Sequence, residues 1–223
     1  MCLYLIVDYP GAVGVKRRYE SARRQEQARQ TRRAILTAAG KLFVDPGYAA
    51  TPLTAVAAEA GVAVQTVYAV FGSKRQLLST LVDVTIAGDE EPTALPDRPF
   101  VAEIQALPDA RAKLGRYARH LSATQARQAE VMIALAGAAS ADPDAAAIWR
   151  KNVDERRRGM AMFAAELVAT GSVRPDHDVD SVADVLWLAM DFRNYDWLVR
   201  QRGWTSERFE RWYVDTVAAA VLN

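Results

Sequence analysis

The sequence predicts an all-α protein, with an N-terminal three-helix domain of helix-turn-helix type followed by a larger helical domain. Three observations predict it. From about Gln25 onward apolar residues recur at three- and four-residue spacing and do not alternate with period two. The prolines beyond that point fall between the periodic stretches or at their first positions. The charge is also divided, with 11 Lys/Arg and 5 Asp/Glu in residues 1–75 against 17 and 22 in the remainder, or +6 against −5 on a chain of net +1. A basic front half on a near-neutral chain is the footprint of a polyanion-binding module joined to a second unit.

The other bulk features narrow the class. The 223 residues suffice for two small domains, and 51% hydrophobic with 25% charged residues is ordinary for a soluble protein. No stretch approaches the roughly 20 apolar residues that span a bilayer. The opening run Met1–Val7 is apolar, but Asp8, Tyr9 and Pro10 interrupt it. With no basic flank before it and no small-residue cleavage site after it, it does not read as a signal peptide, and a cytoplasmic protein is expected. Cys2 is the single cysteine, which excludes an internal disulfide and a cysteine-rich zinc site. His120 and His177 lie far apart and read as ordinary surface histidines, so neither metal nor cofactor is expected.

Residues 1–24 hold Pro10, Gly11 and Gly14 without helical periodicity and are expected to form a disordered basic arm. The first helix then runs from about Gln25 to Val44, with Ile35, Ala38, Ala39, Leu42 and Phe43 on one face, until Asp45-Pro46-Gly47 stops it. Thr51-Pro52 starts the second: the hydroxyl suits an N-cap and the proline suits N1. Leu53, Val56, Ala57 and Ala60 form its apolar face and Gly61 ends it. A third helix covers about Val64–Val70. A fourth starts at Ser73, with Gln76 at capping-box spacing, and runs to about Ala87. Gly88–Pro99 reads as a connection, and further helices are predicted near 99–106, 109–122, 124–139, 143–170, 178–202 and 205–222.

The informative segment is Thr54–Phe71: a helix, a turn containing Gly61, and a short second helix. Ala57 is small where the two helices must cross. Val62 and Val67 close a small core with Ile35, Leu42 and Phe43, leaving Gln65, Thr66, Tyr68 and Ala69 on the outer face. Together with Ala38-Ala39, Gly47-Tyr48, Thr51, Ala60-Gly61-Val62, Phe71, Ser73-Lys74 and Leu77-Leu78, this spacing resembles the DNA-binding signature of TetR-type transcriptional regulators. The resemblance covers about residues 25–88.

That resemblance implies a homodimeric repressor. Residues 25–88 would be the DNA-binding domain with its connecting helix, and 89–223 a helical ligand-binding and dimerisation domain. It would be released from a palindromic operator by a small hydrophobic molecule. It also implies residue roles. Thr51 would bond phosphate at the start of the second helix; Gln65 and Thr66 would face base edges, Tyr68 and Lys74 would reach the backbone, and Thr54 and Val64 would belong to the same DNA-binding surface. For each a plainer role stays open: an N-cap for Thr51, packing for Tyr68, a solvated charge for Lys74. The basic stretch Lys16–Arg33, with Arg32 near its end, is either a minor-groove arm or a solvated tail. Two departures stand out. Ala63 occupies a position where such regulators often carry a capping serine, and Val64 and Val70 replace polar readers, which leaves Gln65 the one residue able to read a base in bidentate fashion.

The C-terminal part resembles the family less specifically, through Leu198–Trp212 with Arg202-Gly203-Trp204-Thr205. By that likeness the last two helices would pair across a dimer through Val182, Leu186, Phe209, Trp212, Tyr213, Val217 and Val221, although an intramolecular core fits the same stripe. A ligand cavity would lie among the preceding helices. Met132, Trp149, Met160, Phe163, Trp187 and Phe192 would line it and Asp191 and Asn194 would add polarity, unless they are plain core. No phosphate loop, nucleophile elbow or His-Glu metal pattern supports a helical enzyme. A helical architectural or partner-binding protein without sequence-specific recognition is the other alternative.

Overall fold

Leu42 and Phe43 bring the first helix to the wide turn Phe43–Gly47, where the cis Asp45–Pro46 peptide and Gly47 end it as the sequence predicts. The computed structural model describes residues 12–89 and 97–223, with side chains from residue 23 onward. Helix α1 (Ala12–Leu42) starts well ahead of Gln25, so residues 12–24 of the expected disordered arm are helical; residues 1–11 lie outside the described residues. The chain continues through α2 (Leu53–Glu59), α3 (Val64–Phe71) and α4 (Lys74–Ala87). Ser73 caps α4 as its spacing predicts, its Oγ accepting from the Gln76 amide at 3.1 Å. Ile35, Ala39, Phe43, Val56, Val67 and Leu77 are buried together at the centre of these four helices. Each of the larger side chains contributes about 1.5–3 kcal/mol by leaving water.

Six further helices follow among the described residues: α5 (Pro99–Ala106), α6 (Ala110–Ala138), α7 (Pro143–Val168), α8 (Val179–Ala189), α9 (Phe192–Tyr195) and α10 (Ser206–Val221). Proline at the first position starts α5 and α7; Asp109, Asp142, Asp178 and Thr205 cap α6, α7, α8 and α10 through side-chain oxygens. No strand forms among the described residues, apart from a single antiparallel bridge between Val173 and Leu222. No single described helix is long and apolar enough to cross a membrane.

Two boundaries differ from the prediction. The helices expected at 109–122 and 124–139 are one continuous α6, because Ser122, Thr124, Gln125 and Gln128 are buried on its inner face and do not mark a surface break. The helix expected at 178–202 breaks at Met190, although no proline or glycine stands there. The break is held from outside. Asn194 Nδ2 donates to the carbonyls of Leu188 and Ala189, Gln125 Nε2 donates to that of Met190 at 2.8 Å, and Asp191 caps α9. After Tyr195 the chain continues in a wider helical turn, Asp196–Gln201.

Helix α6, about 43 Å long at 1.5 Å per residue, is the spine. It packs on α4, α5, α7, α9, α10 and the Phe43–Gly47 turn. Its polar residues reach the ends of its neighbours. Lys113, buried, donates from Nζ to the carbonyls of Ile104 and Gln105 at the end of α5 and pairs with Glu166 of α7 at 3.1 Å. Arg127 lies against the end of α4, donating over long distances to the carbonyls of Thr85 and Ile86.

His120 departs from the surface role expected of it. Its ring stacks on Phe100 of α5, 3.6 Å between centroids and 8° from parallel, and lies 3.5 Å from the Thr124 hydroxyl. Burial, then the charges of Arg116, Arg127 and Arg98, push its pKa down to about 4. An unfolded histidine titrates near 6.5. Between those values the unfolded chain binds a proton that the folded one refuses. The stability this ring contributes is therefore complete above about pH 6.5 and is lost as the pH falls toward 4. Melting midpoints should drop between pH 6.5 and 5 in the natural protein and drop less in His120→Phe, which keeps a stacked ring; equal slopes would remove His120 as the cause.

Candidate nucleic-acid interface

Helices α2 and α3 meet at 107°, within the range of a helix-turn-helix. Gly61 makes the turn at φ +67°, a left-handed conformation that costs glycine nothing. The Val62 amide then returns to the Ala57 carbonyl at 3.0 Å, closing the end of α2. Ala57 is buried at the crossing, and Val67 and Phe71 fix the inner face of α3. On the outer face Gln65, Tyr68 and Ala69 are exposed, with Tyr68 at 54%, while Val64, Thr66 and Val70 are half-buried. Thr54 on α2 is also exposed. Ala63 begins α3 in extended conformation with no side-chain cap, so the departure noted in the sequence is real. The polar groups on this surface are therefore few, and Gln65 and Tyr68 dominate them.

Thr51 needs correction. It is buried, and α2 starts at Leu53 with Pro52 in the capping position, so the threonine is not the N-cap. Its hydroxyl hydrogen is shared between the carbonyls of Leu42 and Gly47, each 2.8 Å away, which stitches the end of α1 to the turn that follows it. A hydroxyl held in this way does not face phosphate. Lys74 is half-buried, its ammonium 4.3 Å above the Tyr48 ring. Burial lowers its pKa and the Asp142 carboxylate opposes the shift. Burial, with Asp142 and Asp144, also pushes Tyr48 up to about 12. The Lys74–Tyr48 pair thus stands close to the acidic start of α7 as well as at the start of α4. Arg32 lies 4.7 Å over the Phe71 ring, joining α1 to α3, while Arg23, Arg24, Arg29 and Arg33 are exposed along α1. Arg29 pairs with Glu26 at 2.6 Å.

The stripe expected at a dimer interface lies elsewhere. Val182, Leu186, Phe209, Tyr213, Val217 and Val221 have no exposed surface within a single chain, and Trp212 is half-buried against Phe209. The first six are core and offer nothing to a partner, whereas Trp212 keeps part of its surface. The large apolar residues left outside on the last elements are Leu188, 69% exposed, and Trp197, 54% exposed.

The residues expected around a ligand separate into groups. Trp149 and Phe192 meet edge to face at 6.0 Å, and Trp187 and Phe192 flank Arg156, with Asp191 4.0 Å from that guanidinium. Met160 and Phe163 pack on Tyr117. Met132 is buried core, and Asn194 is engaged in closing α8. Arg156 and Tyr117 join these groups and were not singled out in the sequence; helical spacing alone does not separate a buried arginine from the exposed ones beside it. A surface cleft of about 630 Å³ opens between Asp109, Arg111, Ser172, Asp215 and Asn223, and none of its lining residues is one predicted to line a cavity.

If Thr51 is a stitch, Thr51→Val leaves two carbonyls without their donor and destabilises the fold by about 1–3 kcal/mol, and Thr51→Ser restores most of it. Chemical denaturation measures this. An unchanged midpoint accompanied by weakened DNA binding would return Thr51 to the interface.

Comparison with known proteins agrees with this geometry. Residues 35–81 match the model of bacterial regulatory proteins of the tetR family. No curated protein sequence matches the chain. Among solved structures, the fatty acid degradation regulator FadR from Bacillus halodurans superposes with a TM-score of 0.66 at 14% identity, over 84% of this chain and 94% of that one. The regulator FadR from Bacillus subtilis, in complex with stearoyl-CoA, gives 0.63 at 16% identity over 82% and 96%. The ketosteroid regulator KstR2 of Mycobacterium tuberculosis gives 0.60 at 17% identity over 86% and 95%. At these identities the neighbours speak for the fold, and the match over residues 35–81 speaks for the domain. Residues 35–81 are thus similar to the N-terminal domain of bacterial regulatory proteins of the tetR family, and the chain as a whole shares the fold of these solved structures.

Proposed function

We propose that this protein is a homodimeric transcriptional repressor that binds a palindromic operator through α3 and leaves it when a small molecule enters the helical domain. The observation that carries the reading is the outer face of α3, with Gln65 and Tyr68 exposed beside an α1 lined with exposed arginines. Gln65 can pair with adenine in the major groove, and Tyr68, Lys74 and the α1 arginines can hold the backbone. Thr54 and the half-buried Val64 and Thr66 border the same face.

Coupling to a ligand has a physical route. Helix α4 joins the two domains and is bound to α7 by the Lys151–Asp83 pair at 3.6 Å and the Arg75–Asp144 pair at 3.7 Å. Both pairs are exposed and individually worth little. They mark where α7 meets α4. A ligand changes operator affinity only if it prefers the arrangement of α4 that does not fit DNA.

Selection from random DNA tests the reading: a two-fold symmetric sequence should be enriched, with half-sites about 34–36 Å apart or a multiple of it. Gln65→Ala should relax preference at one position per half-site at a cost of about 1–3 kcal/mol. Lys74→Ala should weaken binding to all sequences alike and reduce the salt slope by about one. Enrichment of no palindrome would overturn the operator reading, and an unchanged slope would confine Lys74 to its contact with Tyr48.

Since the predicted stripe is core, the partner surface is assigned to the exposed apolar residues of the last elements. Leu188→Glu combined with Trp197→Glu should yield monomers in light scattering while the helical signal is retained. A persistent dimer would place the interface on another face.

A further inference from the structure

Asn152 and Arg156 stand one turn apart on α7 and so share a face. Both are left incompletely satisfied. Asn152 is buried and its Oδ1 has no hydrogen-bond partner; the Arg156 side chain keeps 12% of its surface, and its Nη2 is buried without one. The carboxylate beside Arg156, Asp191, is 4.0 Å away, beyond hydrogen-bond reach. It is already engaged by the Arg193 amide at 2.9 Å and the Arg193 guanidinium at 3.3 Å. Two guanidiniums therefore share one carboxylate.

The surroundings are apolar and adaptable. The Arg156 guanidinium lies 4.7 Å from the Trp187 ring and 5.7 Å from that of Phe192. Tyr117 of α6 completes the cluster, its hydroxyl offered only to the sulfurs of Met160 and Met190 at 3.9 and 3.8 Å. Thioethers are weak acceptors, and methionine side chains repack at little cost. A buried charged donor lacking an acceptor is costly in a finished core. A ligand that supplies the acceptor removes that cost, and an anion does so with a charge-assisted bond. A cation would meet two arginines.

We propose that this cluster binds a small organic carboxylate. Its carboxylate accepts from Arg156 Nη2, and its apolar body lies between Trp187 and the Tyr117–Met160–Met190 wall. The assignment deepens the ligand-release reading above and rests on it for its effect on DNA.

The test titrates the full-length protein with 3-phenylpropionate and octanoate, their matched alcohols, and phenyltrimethylammonium, by calorimetry and tryptophan fluorescence. At least one acid should bind once per protomer, about tenfold or more tighter than its alcohol, and Arg156→Gln should remove that preference. Should the variant not fold, the acid-to-alcohol ratio of the natural protein decides. Binding of neither acid, equal affinity for acid and alcohol, or tighter binding of the ammonium compound overturns the proposal. Operator binding is followed in parallel. Palindrome selection without carboxylate binding removes this site alone, whereas carboxylate binding that leaves operator affinity unchanged keeps the site and removes ligand release.

Discussion

Every α-helix ends in carbonyl groups that have no amide to accept from, and a buried end must find donors elsewhere. In this protein α6 supplies many of them. Lys113 meets the end of α5, Gln125 the end of α8, and Arg127 the end of α4. These contacts explain why α6 is continuous and why its inner face holds so many buried polar residues. Without Lys113 and Gln125 the buried carbonyls of Ile104 and Met190 would lose these donors, at a cost of about 1–3 kcal/mol per buried group.

Helix α7 organises the other half of the molecule. Its first turn carries Asp144 toward Arg75, Lys151 reaches Asp83, and the next residue, Asn152, is buried one turn before Arg156. Contact with the DNA-binding domain and contact with the polar core are thus neighbours on one rigid element. The acids at its start also bear on Tyr48 and Lys74, so the same corner of the fold touches the helix-turn-helix domain by packing and by charge.

Much of this was legible in the sequence, for identifiable reasons. Proline at the starts of α5 and α7, Ser73 before α4 and Gly61 in the turn are local signals whose physics does not depend on the rest of the chain. The exposed face of α3 was readable because Val67 and Phe71 fix the inner one. Features created by tertiary contact were not readable. The break at Met190 exists because Gln125 and Asn194 cap it, 65 and a few residues away in the chain. The stripe from Val182 to Val221 is apolar whether its partner is α6 or a second protomer, so periodicity could not decide between core and interface. Thr51 beside Pro52 looks like an N-cap until the turn before it is seen to need the hydroxyl more. Arg156 is one of several arginines on α7, and only the rings of Trp187 and Phe192, brought in from later helices, make it a buried charge.

The end of α4 has a geometric consequence. Gly88, at φ +84°, closes that helix so tightly against Arg127 that a Cβ there would stand 3.0 Å from the guanidinium. Arg98 adds a hydrogen bond to the Ala87 carbonyl and a two-pronged pair with Asp89. This end is anchored, whereas the other, at Lys74, is about 20 Å away along the helix axis. Rotation about such an anchor magnifies with distance: a tilt of about 10° carries the far end about 3.5 Å, comparable to the rise of one base pair. A displacement too small to disturb the packed core can therefore move the helix-turn-helix end of α4 by several ångströms.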